Sequence, residues 1–344
     1  LMSLILTRTQ DIREKSPDFY KWENRVTQTG ALDFMMMDSS NTLSPALIRK
    51  AKSSIGSVLA TPVINYDAGV SIASSRSVTI SDDLNTSEMY TFTFVTYSFG
   101  WTQTPSAHMN NEISLQEDWA ASYKKYMIAL SKVMDTAAVA ALSAGKTQVF
   151  GDALTYTTPG NILTADLADE MRLFADIDPV MMSNDCDGTI HYIGNPGFKS
   201  LVNRTKQLST FNAENKSLHL NGIPLHYSNR ITNGASMGAS FYAVTEGTCG
   251  LLYRFEREAL FGTRSRTGHE WGLDTIIGLD IPVSTYYYEG VADQSGLFGA
   301  ATADLDRGWK QYFGFSVDVC YVTNYNSDPT TIPTPIIAAQ VATS

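Results

Sequence analysis

The stretch from Ser114 to Gly145 most limits what this chain can fold into, because it predicts one uninterrupted helix. Its aromatic and aliphatic residues recur at steps of three or four, which places them on one helical face: Leu115, Trp119, Tyr123, Tyr126, Leu130, Val133, Ala137 and Ala141. Ser114 and Glu117 have the spacing of a capping box, and Gly145 predicts a left-handed stop. Such a helix is about 45 Å long. A rod of this length can serve as the spine of a protein.

A β-rich segment precedes the helix and predicts a long hairpin. Tyr90, Phe92 and Phe94 alternate with threonines, so the three rings point to one side of a strand. The alternation slips at Phe94–Thr96, which predicts a β-bulge. The turn-forming residues Ser81–Asn85 predict an acidic tip. Since two strands alone are marginal in water, we expect this hairpin to lie on a neighbouring subunit.

The other elements mix helices and strands without a βαβ period, which predicts an α+β fold. We expect residues 1–43 to form an irregular arm. Predicted helices run from Pro45 to about Ser57, from a cap at Thr164 to Asp178-Pro179, and from Asn195-Pro196 to Arg204. Predicted strands cover Ile223–Tyr227, Phe241–Val244, Leu251–Phe255, Thr285–Tyr288 and Tyr312–Val322. The proline-rich tail from Asp328 should be extended.

Composition argues against several classes of function. The formal charge is −10 at pH 7, which disfavours tight binding to a phosphate backbone. The densest basic group, from Arg254 to Arg266, is interrupted by Glu256 and Glu258, and we expect it on a solvated or intersubunit face. The cysteines Cys186, Cys249 and Cys320 are odd in number and indicate neither a disulfide framework nor a zinc knuckle. We find no apolar run of about 18 residues and no signal peptide, and we expect no membrane insertion.

Two patterns suggest chemistry, and both also fit simple turns. Gly234–Gly238 matches the G-x-S-x-G nucleophile elbow, with Ser236 as the serine, but the following residues predict a strand where an elbow requires a helix. A serine hydrolase that uses Ser236 is the alternative from another class of function. Asp185 and Asp187 lack the spacing of a calcium loop, and the histidines lack the spacing of metal ligands. We therefore assign no catalytic, cofactor-binding or metal site.

In the order of its elements, the chain resembles the major capsid proteins of tailed bacteriophages, a fold of the Hong Kong ninety-seven type that encapsulins share. The resemblance is carried by the spine, by its end at Ala140–Val149, and by Asn195–Arg204 and Asn221–Asn229. It implies an N-terminal arm and first helix over 1–60, an extended β-hairpin loop over 61–110, a peripheral domain with the spine helix over 111–160, an α+β axial domain over 161–304, and a return strand and tail over 305–344.

The resemblance also implies a function. The chain would be a structural protein, not an enzyme, and would need no cofactor. It would self-assemble into hexamers and pentamers of an icosahedral head that encloses double-stranded DNA. The implied location is the virion, after assembly in the cytoplasm of the bacterial host, with portal, scaffold or decoration proteins as further partners and no membrane. An encapsulin-type nanocompartment shell is the alternative within the same fold.

The hairpin supplies the expected contacts between subunits. We expect these contacts at Asp82 and Asp83 of the tip and at the rings along the strand: Tyr90, Phe92, Phe94, Tyr97 and Phe99. Some members of the family join subunits through an isopeptide bond between a lysine of the extended loop and an asparagine of a neighbour. This sequence has no lysine between Lys52 and Lys124. The resemblance therefore implies a shell held by noncovalent contacts alone.

Overall fold

The computed structural model describes the chain in separate stretches, and the structural statements below concern these residues. They are residues 28–54, 58–64, 87–105, 115–146, 160–183, 186, 188–208, 224–254, 270–275, 281–291, 309–323 and 334–343.

Helices and strands alternate irregularly along these stretches, and the predicted α+β class is confirmed. The helices are α1 (Gly30–Thr42), α2 (Pro45–Ser53), α3 (Leu115–Gly145), α4 (Glu170–Ser183) and α5 (Pro196–Leu208). The strands are β1 (Val58–Ile64), β2 (Ser87–Thr93), β3 (Val95–Gln103), β4 (Ile162–Ala165), β5 (Ile190–Gly194), β6 (Leu225–Tyr227), β7 (Met237–Thr245), β8 (Gly250–Arg254), β9 (Glu270–Thr275), β10 (Pro282–Val291), β11 (Trp309–Val322) and β12 (Ile336–Ala342).

The contacts divide the chain into two compact units. The first unit is built mainly from Val95–Met134 and Tyr253–Val319. The second unit is built from Gly30–Phe94, Asp135–Leu252 and Cys320–Ser344. The long elements α3 and β11 each contribute residues to both units.

The first unit is an antiparallel sheet with α3 packed on one face. Its strand order is β3-β11-β10-β9, and the register of β11 on β3 sets Phe313 opposite Trp101. From α3, the Trp119 ring lies 5.7 Å from the Phe313 ring, and the Tyr123 ring lies 5.7 Å from the Phe315 ring. Aromatic pairs at such distances add to the stabilisation by buried area. The core of this unit is therefore rich in aromatic rings, with aliphatic residues such as Leu130 and Val317 beside them.

Alternation along β11 accounts for its place in that sheet. Side chains alternate between the two faces of a strand. The buried face carries Phe313, Phe315, Val317 and Val319, and the partly covered face carries Tyr312, Ser316 and Asp318. The strand predicted over Tyr312–Val322 is confirmed and begins earlier, at Trp309.

The spine helix α3 runs from Leu115 to Gly145, as predicted, but its buried face departs from the predicted one in the second half. Trp119, Tyr123 and Leu130 are buried as expected, whereas Val133 is 51% exposed. The residues buried toward this end are Met134, Ala138 and Leu142. Beyond Met134 the helix belongs to the second unit. The face that it buries there is therefore set by a different core.

Among the described residues, α3 is the one helix whose length and apolar composition would allow it to cross a membrane. The core helix of a folded protein has the same properties. Here Trp119 and Tyr123 pack on the sheet of the first unit, which accounts for the apolar face at this end of the helix.

Gly145 ends α3 without the left-handed conformation that the sequence predicted. The described glycines with positive φ are Gly160, Gly188 and Gly247. A Cβ atom at position 145 would lie 3.0 Å from Thr323 and 3.2 Å from Ile336. Glycine therefore suits this position because the chain packs closely around it, not because of its backbone conformation.

The second unit is built on a five-stranded mixed sheet of order β4-β12-β7-β5-β6. Strand β12 is parallel to β4 on one side and antiparallel to β7 on the other. Helices α4 and α5 pack against this sheet around a group of aromatic rings: Phe174, Tyr192, Phe198 and Phe241. The C-terminal segment, predicted to be extended, is thus a central strand over Ile336–Ala342.

Capping residues define the starts of α2 and α5 as predicted. The hydroxyl of Ser44 accepts a hydrogen bond from the N–H of Leu47 at 3.3 Å, and the side chain of Asn195 accepts one from the N–H of Phe198 at 2.9 Å. The predicted ends were less accurate. Helix α2 stops at Ser53, before the predicted Ser57, and α5 continues past Arg204 to Leu208.

The prediction for α4 was wrong at both ends. Thr164 lies in strand β4, and the helix begins at Glu170 after a short 3₁₀ turn. Pro179 lies inside the helix. A proline inside a helix costs about 3 kcal/mol, but Val180 and Met181 beyond it are buried in the core, and each such burial contributes about 1.5–3 kcal/mol. The stabilisation from burying Val180 and Met181 therefore exceeds the cost of Pro179, and the helix continues past the proline that predicted its end.

The predicted irregular arm contains a helix, so that prediction was wrong for α1. The sequence shows no helical period over Gly30–Thr42 because apolar residues occur on more than one face of this helix. Leu32, Phe34 and Met35 are all buried. Residues 1–27 lie outside the described part of the chain.

The slip in alternation near Phe94 marks a change of sheet, so the predicted bulge was wrong. Strand β2 pairs antiparallel with β1, from Val58 opposite Thr93 to Ile64 opposite Ser87. Strand β3 begins at Val95 and joins the sheet of the first unit. The predicted tip, Ser81–Asn85, lies outside the described residues. The other predicted strands are confirmed with shifted ends as β6, β7, β8 and β10.

Candidate assembly surfaces

Strands β1 and β2 form a two-stranded ribbon whose inner face is buried in the second unit. Phe92 is 1% exposed and Phe94 is 5% exposed. Leu59 lies with them, and neighbouring elements of the same unit complete the cluster: Leu43, Leu47, Ala51, Leu252, Cys320 and Val322. Tyr90 packs at its margin, with its ring 4.8 Å from that of Phe92. A two-stranded sheet needs such support to be stable.

The opposite side of the ribbon, which we call the outer face, carries Val58, Ala60, Pro62, Met89, Thr91 and Thr93. The register sets Val58 beside Thr93 and Pro62 beside Met89. Val58 is 53% exposed and Met89 is 60% exposed. Single exposed apolar residues are common, but several on one face indicate a contact surface. The outer face is therefore the side of the ribbon that is available to another molecule.

The structure places the sequence-predicted contact residues in three different settings. Phe92 and Phe94, with Tyr90, belong to the inner face of the ribbon. Phe99, on β3, stacks on Tyr126 at 5.6 Å and on Phe315 at 5.0 Å. Tyr97 is half-buried on the same strand. Asp82 and Asp83 lie outside the described residues. A ring that is 1% exposed, such as Phe92, offers little area to a neighbour.

A buried aspartate of the spine helix, which sequence reasoning missed, fixes the start of α1. Asp135 accepts hydrogen bonds from the N–H of Leu32 at 3.1 Å and from the hydroxyl of Ser228 at 2.5 Å. Burial raises the pKa of Asp135, while these hydrogen bonds act to lower it. The carboxyl group also faces the positive end of the α1 dipole. Three distant parts of the chain meet at this one side chain.

A second buried aspartate fastens the other end of α1. Asp38 accepts hydrogen bonds from the N–H groups of Gly247 at 2.6 Å and Cys249 at 2.8 Å. The hydroxyl of Ser39 accepts one from the N–H of Leu251 at 2.7 Å. In the sequence, Asp38 has no feature that distinguishes it from an exposed aspartate. Its role becomes apparent only when the turn before β8 is brought beside α1.

Ser236 does not have the setting of a catalytic nucleophile. Its φ of 61° is positive, but the residue lies in a turn that leads into strand β7, not into a helix. Its carbonyl accepts a hydrogen bond from the N–H of Thr343 at 3.1 Å. In a nucleophile elbow, the serine links a strand to a following helix. The motif is therefore a glycine-rich turn that links β7 with the end of β12.

The basic group predicted on a solvated or intersubunit face has one described member, and that member is buried. Arg254 is 8% exposed, and its Nε donates to a carboxylate oxygen of Asp318 at 2.8 Å. The hydroxyl of Thr96 donates to the other oxygen at 2.6 Å. The prediction was wrong for Arg254 because its charge is neutralised within the first unit. Arg257, Arg264 and Arg266 lie outside the described residues.

Comparison with known proteins gives similarity in structure but not in sequence. No protein-family model and no curated protein matches the sequence. A structure of Mycobacterium phage Che8 matches with a TM-score of 0.50 and 12% identity, over 87% of this chain and 89% of that one. The mature capsid of bacteriophage PhiM1 matches with a TM-score of 0.47 and 11% identity, over 84% and 83%. The capsid of cyanophage P-SCSP1u matches with a TM-score of 0.44 and 10% identity, over 85% of each chain.

The structure shared over most of the chain shows its fold. The matching structure from phage Che8 covers 87% of this chain. This chain therefore has the fold of the tailed-phage major capsid proteins, the Hong Kong ninety-seven type.

Proposed function

We propose that this chain is the major capsid protein of a tailed phage and that its copies assemble into hexamers and pentamers of an icosahedral head around double-stranded DNA. The observation that carries the proposal is the fold shared with the phage Che8 structure over 87% of the chain. The exposed apolar outer face supports it, since a subunit that self-assembles needs contact area. The net charge of −10 suits a shell that encloses DNA without binding it tightly.

The proposal includes the place and the partners of the protein. Its location is the virion, after assembly in the cytoplasm of a bacterial host, and portal, scaffold or decoration proteins are its further partners. We assign the arm and first helix to 1–60, the extended loop to 61–110, the peripheral domain to 111–160 with β9, β10 and β11, and the axial domain to 161–254 with β12. These bounds differ from the 161–304 and 305–344 that the resemblance implied, because β9 and β10 pair in the sheet of β11, and β12 pairs with β4 and β7. In this scheme the ribbon of β1 and β2 is the base of the extended loop.

Electron microscopy of the purified chain tests the function directly. We expect closed shells of uniform diameter, with DNA protected from nuclease when particles are isolated from infected cells. Shells that contain a cargo protein and no DNA would indicate a nanocompartment instead. A protein that stays monomeric at high concentration, with or without scaffold, would contradict both kinds of shell.

A charge on the outer face of the ribbon should block assembly without unfolding the subunit. Met89→Asp places a carboxylate on a 60% exposed position, so the fold tolerates it, but an interface would have to bury it unpaired. Disruption of an interface anchor costs about 2 kcal/mol or more, so the concentration needed for assembly should rise at least about thirtyfold. Sedimentation velocity measures the change.

The matched control for this variant is Met182→Asp. Met182 is 68% exposed and lies on α4, away from the ribbon in sequence. We expect it to assemble like the wild type. Equal loss of assembly in both variants would mean that added charge, not the outer face, is responsible.

Mature particles should be held together without covalent links between subunits. Because the chain has no lysine between Lys52 and Lys124, the hairpin offers no amine for an isopeptide bond. Particles boiled in detergent under reducing conditions should run as a single band near 37.7 kDa. A ladder of covalent oligomers would contradict the prediction.

A further inference from the structure

Two histidine rings lie against each other where α1 meets the sheet of the second unit. His191 is on β5 and His226 is on β6. Nδ1 of His191 lies 3.3 Å from Nε2 of His226, and the ring centroids are 5.5 Å apart. The ring of Phe34, on α1, contacts both, at centroid distances of 5.0 Å and 5.6 Å. This cluster of three rings joins α1 to two strands.

The contact between the two facing nitrogens depends on how many protons the pair carries. When both rings are neutral, one facing nitrogen carries a hydrogen and donates it to the other. One added proton leaves this hydrogen bond possible, because one facing nitrogen can stay unprotonated. A second added proton puts N–H groups on both facing nitrogens and sets two positive charges side by side. The contact must then break.

The groups around the pair favour the neutral state at neutral pH. Burial lowers the pKa of His191, although Asp38 of α1 and Glu246 after β7 act in the opposite direction. Burial, and then the neighbouring His191, lower the pKa of His226 to about 4. Since the folded values lie below the ordinary value of about 6.5, the stability that the pair contributes is complete above about pH 6.5. It is lost as the pH falls towards about 4.

We infer that His191 and His226 form a proton-operated latch on α1: the helix stays docked while the pair holds at most one added proton, and its middle is released when both rings are charged. The latch does not depend on the proposed function. In a shell, the same fall in pH acts on every subunit at once. Asp135 has the opposite effect on stability at low pH. Burial raises its pKa, so its protonation removes a buried charge at the start of α1. The test must therefore isolate the histidines.

Hydrogen exchange of the full-length protein, corrected for intrinsic rates, tests the latch. Between about pH 6.5 and about pH 4, amide protection over Gly30–Thr42 in the wild type should fall by about tenfold or more. The variant His226→Gln keeps a hydrogen-bonding side chain that cannot become charged, so its protection should change by less than about threefold. His269→Gln also removes one of the histidines of the chain but leaves both members of the pair, and it should behave like the wild type.

Each result decides the question. Wild-type protection that persists at about pH 4 overturns the latch, and so does an equal loss in the wild type and in His226→Gln. Should His226→Gln fail to fold, ¹⁵N resonances of labelled wild-type histidines give the protonation steps of the pair instead. Release of α1 that follows the second proton supports the latch, and release that precedes it overturns it.

Discussion

Leu130→Asp is expected to prevent the chain from folding. Leu130 is 5% exposed on the buried face of α3 within the first unit. A carboxylate buried there without a partner costs several kcal/mol, and the lost apolar burial adds to this cost. The whole stability of a domain is only about 5–15 kcal/mol. We expect the variant in the insoluble fraction, with no folded species in native chromatography.

The same substitution one turn further along the helix is the control. Val133 is 51% exposed, so a carboxylate at this position stays in water, and Val133→Asp should be soluble with the circular dichroism of the wild type. A soluble, folded Leu130→Asp variant would show that the face assigned to the core is not buried.

Leu130 and Val133 also show how much of the buried face of α3 can be predicted from the sequence. A period of three or four residues correctly identified Trp119, Tyr123 and Leu130 as the buried face of the spine. It failed at Val133 because Val133 and Met134 lie three and four residues after Leu130, so a helical period allows either of them to follow it on the buried face. The periodicity also contains no information about where the first core ends, so the buried positions beyond Met134, where the helix belongs to the second unit, could not be predicted.

The ribbon shows a second limit of prediction from the sequence. Alternation correctly grouped Tyr90, Phe92 and Phe94 on one face, but it could not say whether that face meets the protein's own chain or a neighbour. Both are apolar environments, and both favour aromatic residues. The exposed surface is the outer face of the ribbon, which includes Met89 and Val58. A candidate contact surface is thus visible only after the chain's own core has been filled.

The roles of the buried polar groups were the hardest feature of this structure to predict from the sequence. Asp135 receives hydrogen bonds from Leu32 and Ser228, and Asp38 receives them from Gly247 and Cys249. These partners are remote in sequence, and an isolated aspartate in a helix is most simply interpreted as solvated. Only the fold brings donors to them. The same holds for His191 and His226, whose spacing along the chain is not that of a recognisable pair.

The second large effect is expected from the hairpin beyond the ribbon. Replacing residues 65–86 with a short Asn-Gly turn should leave a folded subunit that builds no shells. The register ends with Ile64 opposite Ser87, so a tight turn can join the strands there. The inner face of the ribbon, with Phe92, is untouched and keeps its core. The melting temperature should therefore change by only a few degrees, about what 1 kcal/mol produces.

Assembly should respond far more strongly, because the proposed function requires the replaced segment to lie on a neighbouring subunit. Contacts repeated around a closed shell multiply, so losing one from every subunit should reduce the yield of shells by about a hundredfold or more.

A second variant carries a Gly/Ser segment of the native length in place of residues 65–86. It keeps the reach of the loop but removes its side chains, including Asp82 and Asp83, and it should fail as well. Shells of wild-type yield from the short-turn variant would contradict the placement of the hairpin on a neighbour. Shells from the Gly/Ser variant alone would mean that backbone contacts suffice and that these side chains do not carry the interface.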